Sequence, residues 1–210
     1  PNSIVTHLNE SPAGLIEYSD TFGYFNRCYQ LSQKVFAQTK GAFDPTVYPL
    51  IEGWGFLKDR GNKPDSSKVD SLRALLGFQD GYHFKPVQMS DTSANSSIMK
   101  RTPGAKLDFN AIAQGIAVDV LAELIEKKGG KNYFVEIGGE IRVNGKNKEG
   151  NYWNIGIDKP VDNSSANDRV IYEIVSLDNK SIATSGSYRK FYEEDGIKYS
   201  HTLDPSTGYP

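Results

Sequence analysis

The stretch LDFNAIAQGIAVDVLAELIEKKGGKNYFVEIGGEIRVNG, residues 107–145, decides how the chain is read. Its first part repeats apolar residues at helical spacing, with Ile112, Ile116, Val120, Leu124 and Ile125 on one stripe. This predicts a helix over residues 111–128, ended by Gly129-Gly130, with Lys127 and Lys128 suited to the negative end of its dipole. Beyond the two glycines the apolar period drops to two, so residues 133–137 and 140–144 read as strands. Residues 152–158 and 170–177 repeat that pattern. A helix feeding a run of strands predicts an α+β fold: a largely antiparallel sheet packed with helices, in a single domain over residues 1–210.

Upstream, Phe25, Leu31, Val35 and Phe36 recur at near-helical spacing, with Asp20 and Thr21 as caps. Val69, Leu72, Leu75 and Leu76 mark a second helix over 68–76, entered through Pro64-Asp65-Ser66 and stopped at Gly77. The first half therefore reads as mostly helical. Downstream, Asn144-Gly145 and Asp195-Gly196 are turn signals, the second between Phe191-Tyr192 and the strand-like 197–199. Residues 160–167 read as a polar surface loop.

A formal net charge of −2 over 210 residues offers no polyanion-binding surface, so nucleic acid is not an expected partner. Cys28 is alone, which leaves no intramolecular disulfide and no cysteine metal site. No apolar run approaches the roughly 18 residues that span a bilayer. The chain starts at Pro1 with no signal peptide and reads as a piece of a longer precursor.

Four segments place small, polar and glycine residues where a core would be apolar. In Gly41-Ala42-Phe43-Asp44-Pro45-Thr46-Val47, Pro45 pushes Asp44 out of the helical region. A rigid turn and a ligand loop both account for it. Residues 107–115 run from a short strand into a helix whose first N–H groups can meet an anion, while Asp108 or Asn110 can equally be a plain N-cap. Gly138-Gly139 allows positive φ, for a hairpin turn or for close approach to a ligand. The fourth segment joins Thr184-Ser185-Gly186 to Ser200-His201-Thr202-Leu203-Asp204-Pro205 through a hairpin. Imidazole ordinarily titrates at about pH 6.5, so His201 is the natural general base, and a hydrogen-bonded structural role is the alternative. His7 and His83 have no comparable setting and read as surface residues.

Taken in order, residues 3–9, 41–47, 107–119, 136–142, 183–188 and 200–210 resemble the ApbE family of flavin transferases, once described as thiamine-biosynthesis lipoproteins. The resemblance covers nearly the whole chain and implies a T-fold-like α+β architecture. It implies magnesium-dependent transfer of FMN from FAD to a Thr or Ser hydroxyl of an acceptor flavoprotein, with release of AMP. By the same resemblance Ala42, Phe43, Asp44, Asp108, Gln114, Thr184 and Leu203 hold FAD. His201 is the base, and the main-chain carbonyl of Ala111 is a magnesium ligand. Gln114 stands where the family often has Lys, and Asn110 where Gly is common. The family's side-chain magnesium ligands follow the segment at which this chain ends, so the domain is expected to be incomplete at both ends. Two other activities are compatible: hydrolysis of FAD to FMN and AMP, and FAD binding without turnover. The family is usually exported to the periplasmic face of the envelope and tethered by a lipid on an N-terminal Cys. Cys28 lies in a helical stretch and is not that residue, so membrane attachment is expected only through an anchor absent from this chain.

Overall fold

Alternating burial along residues 14–19, with Ile16 and Tyr18 inward, makes a strand in the half read as mostly helical. It belongs to a computed structural model that describes residues 3–57, 63–89, 95–160, 170–186, 191–194 and 196–210. The chain divides into two compact units, residues 1–109 with 201–210, and residues 110–200.

In the first unit, α1 (Ile4–Glu10) starts at Ser3, whose Oγ accepts from the Thr6 N–H at 3.0 Å. It is followed by β1 (Gly14–Ser19), α2 (Tyr24–Gln38), α3 (Tyr48–Gly53), α4 (Ser66–Arg73), a 3-10 turn (Gln79–Gly81), β2 (Phe84–Gln88) and β3 (Asn95–Lys100). The three strands form an antiparallel sheet in the order β1-β3-β2. Among the described residues of this half helix exceeds strand, as expected, yet the sheet itself goes unannounced for a definable reason. The buried face of β3 is Ser96, Ile98 and Lys100, so burial alternates while hydrophobicity does not. Lys100 is fully buried, and its Nζ donates to the carbonyls of Leu8, Asn9 and Ser11 at 3.0, 3.1 and 2.8 Å. These lie at the C-terminal end of α1, where helix carbonyls lack intrahelical partners.

The expected caps of α2 also shift. The helix begins after Gly23 (φ 70°), and Asp20 reaches into its first turn, Oδ2 accepting from the Asn26 N–H at 2.8 Å. Phe25 and Tyr29 are its buried anchors, and the Tyr29 hydroxyl donates to the Phe84 carbonyl at 2.7 Å. The second helix matches the sequence reading closely, with Asp65 Oδ1 capping the Lys68 N–H at 2.7 Å and Val69 buried. Residues 204–209 pack onto this unit. Trp54 Nε1 donates to the Gly208 carbonyl at 2.8 Å, and Gly208 sits at φ 80°, where a Cβ would lie 2.7 Å from Val69 Cγ1. Only glycine fits there.

The second unit holds α5 (Asn110–Lys127), β4 (Tyr133–Ile137), β5 (Glu140–Asn144), β6 (Trp153–Asp158), β7 (Ile171–Leu177), β8 (Lys180–Ile182), β9 (Phe191–Glu194) and β10 (Ile197–Ser200). The described strand pairings are all antiparallel: β4-β5-β8, β6-β7 and β9-β10. The strands predicted over 133–137, 140–144, 152–158 and 170–177 appear within a residue of their expected limits, β8 is an addition, and the short strand expected to lead into α5 is irregular chain. On α5 the predicted stripe holds in part, with Ile116 buried and Ile125 packed on the sheet. Val118 and Ala122, with Ile125, pack on Tyr133, Val135 and Ile137, whereas Leu124 is 48% exposed. Ala113, Ala117, Val118 and Ala122 border the stripe with further small or apolar positions, so periodicity alone does not fix the face, and small Ala122 lets the sheet approach. Gly138-Gly139 is a two-residue hairpin turn between Ile137 and Glu140, both glycines at positive φ. Asn144-Gly145 bends the chain (Gly145 φ 67°), but the reversal itself comes later, where Asn147 N–H donates to the Asn151 carbonyl at 2.8 Å. Asp195, Ser187, Tyr188 and most of the 160–167 loop lie outside the described residues.

Candidate functional site

The segment after α2 reverses through two successive left-handed residues, Lys40 (φ 53°) and Gly41 (φ 86°). It then descends to Asp44, which is buried against its own turn. Asp44 Oδ1 accepts from the Thr46 N–H at 2.7 Å and from the Thr46 hydroxyl at 2.5 Å. Thr46 Oγ1 in turn accepts from the Gly77 N–H at 2.8 Å, which ties this loop to the end of the α4 segment. Asp108, also buried, joins the same structure through its N–H, 2.7 Å from the Pro45 carbonyl. The Asn9 amide holds the preceding residue from both sides, accepting from the Leu107 N–H at 2.7 Å and donating to its carbonyl at 2.9 Å.

These loops border a groove of about 740 Å³ in the first unit, with Lys40, Ala42, Asp44, Arg73, Gln79 and Asp204 among its walls. Its walls hold two cationic side chains and two carboxyl groups, a mixture suited to a polar, partly anionic ligand. Arg73 has only a loose 3.9 Å contact with exposed Asp70, worth little in water. Asp204 accepts from the Ser206 hydroxyl at 2.7 Å and N–H at 2.8 Å, which hold its carboxyl below the usual range.

Burial pushes the Asp44 carboxyl up, against the Thr46 hydrogen bonds and the nearby His83. The folded state therefore holds this proton more tightly than the unfolded one, and stability falls as pH rises from the ordinary carboxyl range through the raised folded value. Asp44→Asn should lose that slope. Melting temperatures of both proteins at about pH 4 and about pH 7 check this. The wild type should lose ground to the variant toward pH 7, and a constant gap would contradict the assignment.

His83 corrects the sequence reading. It is 2% exposed, with Nδ1 2.8 Å from Thr102 Oγ1 and Nε2 3.1 Å from the Leu76 carbonyl. Its neighbours are 7 and 19 residues away, so no local pattern announces the burial. His7 is exposed, as read.

The expected site residues divide between the units. Ala42 and Asp44 line the groove, Phe43 lies half-buried between them, and Asp108 is tied to their loop. Half-buried His201 and Leu203 lead directly into the groove-lining Asp204-Pro205-Ser206. Ala111, Gln114 and Thr184 belong to the second unit, all three exposed. Ala111 sits in the first turn of α5 and Thr184 follows β8. Sequence reasoning missed Lys40, Arg73 and Gln79, which have no motif and converge only through the fold. For magnesium, the described residues contain no group of three His, Cys, Asp or Glu side chains able to hold an ion. Side chains of the described residues do not by themselves form a metal centre.

A polar groove in an antiparallel α+β fold is the kind of site that takes a small polar ligand. A family model described as the ApbE family matches residues 1–210. The FAD:protein FMN transferase of Vibrio cholerae is 39% identical over 176 residues, 82% of this chain and 48% of that protein. The apo form of Pseudomonas stutzeri flavinyl transferase ApbE superposes with a TM-score of 0.78 at 34% identity, covering 99% of this chain and 60% of that one. The flavin transferase ApbE from Vibrio cholerae superposes with a TM-score of 0.76 at 32% identity, covering 98% of this chain and 61% of that one. The chain belongs to the ApbE family. It spans about half the length of the curated relatives it matches. No helix is long and apolar enough to cross a membrane among the described residues.

Proposed function

We propose that this chain serves transfer of FMN from FAD to a Thr or Ser hydroxyl of an acceptor flavoprotein. The observation that carries the reading is family membership along all of residues 1–210, joined to a groove bordered by Ala42, Asp44 and the segment after Leu203. The acceptor oxygen attacks the FMN-side phosphorus of FAD, the pyrophosphate P–O bond breaks, AMP leaves, and the hydroxyl proton passes to His201. Ala42, Phe43, Asp44, Asp108, Gln114, Thr184 and Leu203 orient the dinucleotide in this reading. Magnesium, when bound, would offset the pyrophosphate charge, with the Ala111 carbonyl as one ligand. The same reading gives the protein an envelope location facing the periplasm, held by an N-terminal lipid.

Chromatography of FAD incubations separates the alternatives. Transfer predicts magnesium-dependent AMP release only when acceptor is present, with no free FMN, and its loss in excess EDTA. Free FMN with AMP, independent of acceptor, would instead mark a pyrophosphatase. Tight FAD binding without AMP release under any condition would mark a binding protein.

A further inference from the structure

Residues 76–78 belong to no helix or strand, so their backbone groups need partners from elsewhere, and side chains supply them. The Leu76 carbonyl accepts from His83 Nε2 at 3.1 Å. The Gly77 N–H donates to Thr46 Oγ1 at 2.8 Å, and the Phe78 N–H donates to the Asp44 carboxyl. Gly77 sits at φ 133°, a conformation that favours glycine and has no regular structure around it to keep it in place. Leu76, Gly77, Gln79 and Asp44 all line the groove. A carbonyl can only accept, so His83 Nε2 carries the ring proton, and Nδ1, 2.8 Å from Thr102 Oγ1, is the acceptor of the neutral ring. The ring stands on a fixed base, because the His83 carbonyl accepts from the Arg101 N–H at 2.8 Å just before β2 begins.

We propose that His83 is a positioning residue for the groove. Its Nε2–H holds the Leu76 carbonyl, and the next two N–H groups of the same segment then seat Thr46 and Asp44 at the ligand face. The ring is shut off from solvent, so it acts through this backbone and not on the ligand. Its two nitrogens have separate tasks: Nδ1 ties the ring to Thr102, and only Nε2 reaches the groove wall. The ligand in this inference rests on the FAD reading given above, whereas the chain of hydrogen bonds stands without it.

Two amide substitutions separate the two nitrogens. His83→Gln keeps a donor at the Nε2 position, toward Leu76, and His83→Asn keeps a polar group at the Nδ1 position, toward Thr102. The test measures FAD affinity, and hydrogen exchange of the Gly77 and Phe78 amides, at a temperature where each protein is folded. His83→Asn should bind FAD about tenfold more weakly and exchange both amides about tenfold faster, while His83→Gln stays within about threefold of wild type in both. Equal effects in the two variants overturn the proposal, because a histidine that only fills the core is damaged alike by either amide. If neither variant folds, the wild type decides: bound FAD should slow exchange at Gly77 and Phe78, and unchanged rates overturn the proposal. A wild type that does not bind FAD would remove the functional reading alone, since the exchange difference between the variants still tests the hold of His83 on this segment.

Discussion

Replacing His201 with alanine should lower FMN transfer by about 10²–10⁴-fold while leaving FAD affinity within about twofold. The acceptor hydroxyl is a weak nucleophile at neutral pH, and its proton must leave as the new P–O bond forms. A general base at that atom contributes about 3–5 kcal/mol at the barrier. His201 is half-buried and begins the segment that returns to the first unit, three residues before Asp204 enters the groove wall. Residues 204–209 are also held by the Trp54–Gly208 hydrogen bond, which the substitution does not touch. Single-turnover rates and FAD titrations of both proteins separate the two effects. Equal turnover would exclude His201 as the base. A parallel loss of affinity would make it a binding residue instead.

Lys100→Met should destabilise the protein by about 3–5 kcal/mol, a drop on the order of 10 °C in melting temperature. Methionine fills much of the same volume but leaves the carbonyls of Leu8, Asn9 and Ser11 without the Nζ donor they share. Breaking a buried charged interaction from one side costs more than the interaction contributes, because the remaining partners stay desolvated. The effect should reach the site as well. Asn9 clamps Leu107, the residue before Asp108, so loosening the end of α1 loosens one border of the Asp44 loop. Thermal unfolding measures the first part, and FAD affinity below the transition measures the second. A loss under about 1 kcal/mol would mean that water replaces Nζ at no great cost.

Much of the second unit was legible because its strands alternate in the ordinary way and its hairpin glycines stand at the turn. The antiparallel α+β class followed from those residues alone. The first unit hid its sheet because β3 buries Ser96 and Lys100 where a periodicity argument looks for apolar residues. On α5 the predicted stripe included Leu124, which is exposed, while the sheet packs on Val118 and Ala122 beside Ile125, because small and apolar residues border the stripe. The ordered motifs drew attention to Ala42, Asp44 and the 200–210 segment as separate pieces. They could not supply Lys40, Arg73 or Gln79, whose only common property is a wall of one groove. His83 shows the same limit from the other side: its burial depends on Leu76 and Thr102, which sequence spacing does not bring together.

Mass spectrometry of an acceptor flavoprotein after incubation with this protein, FAD and magnesium tests the central claim most directly. The account predicts an acceptor heavier by one FMN group, attached at a Thr or Ser, with one AMP released for each acceptor labelled. An acceptor of unchanged mass, in an incubation where FAD is bound or is cleaved to free FMN, would contradict it.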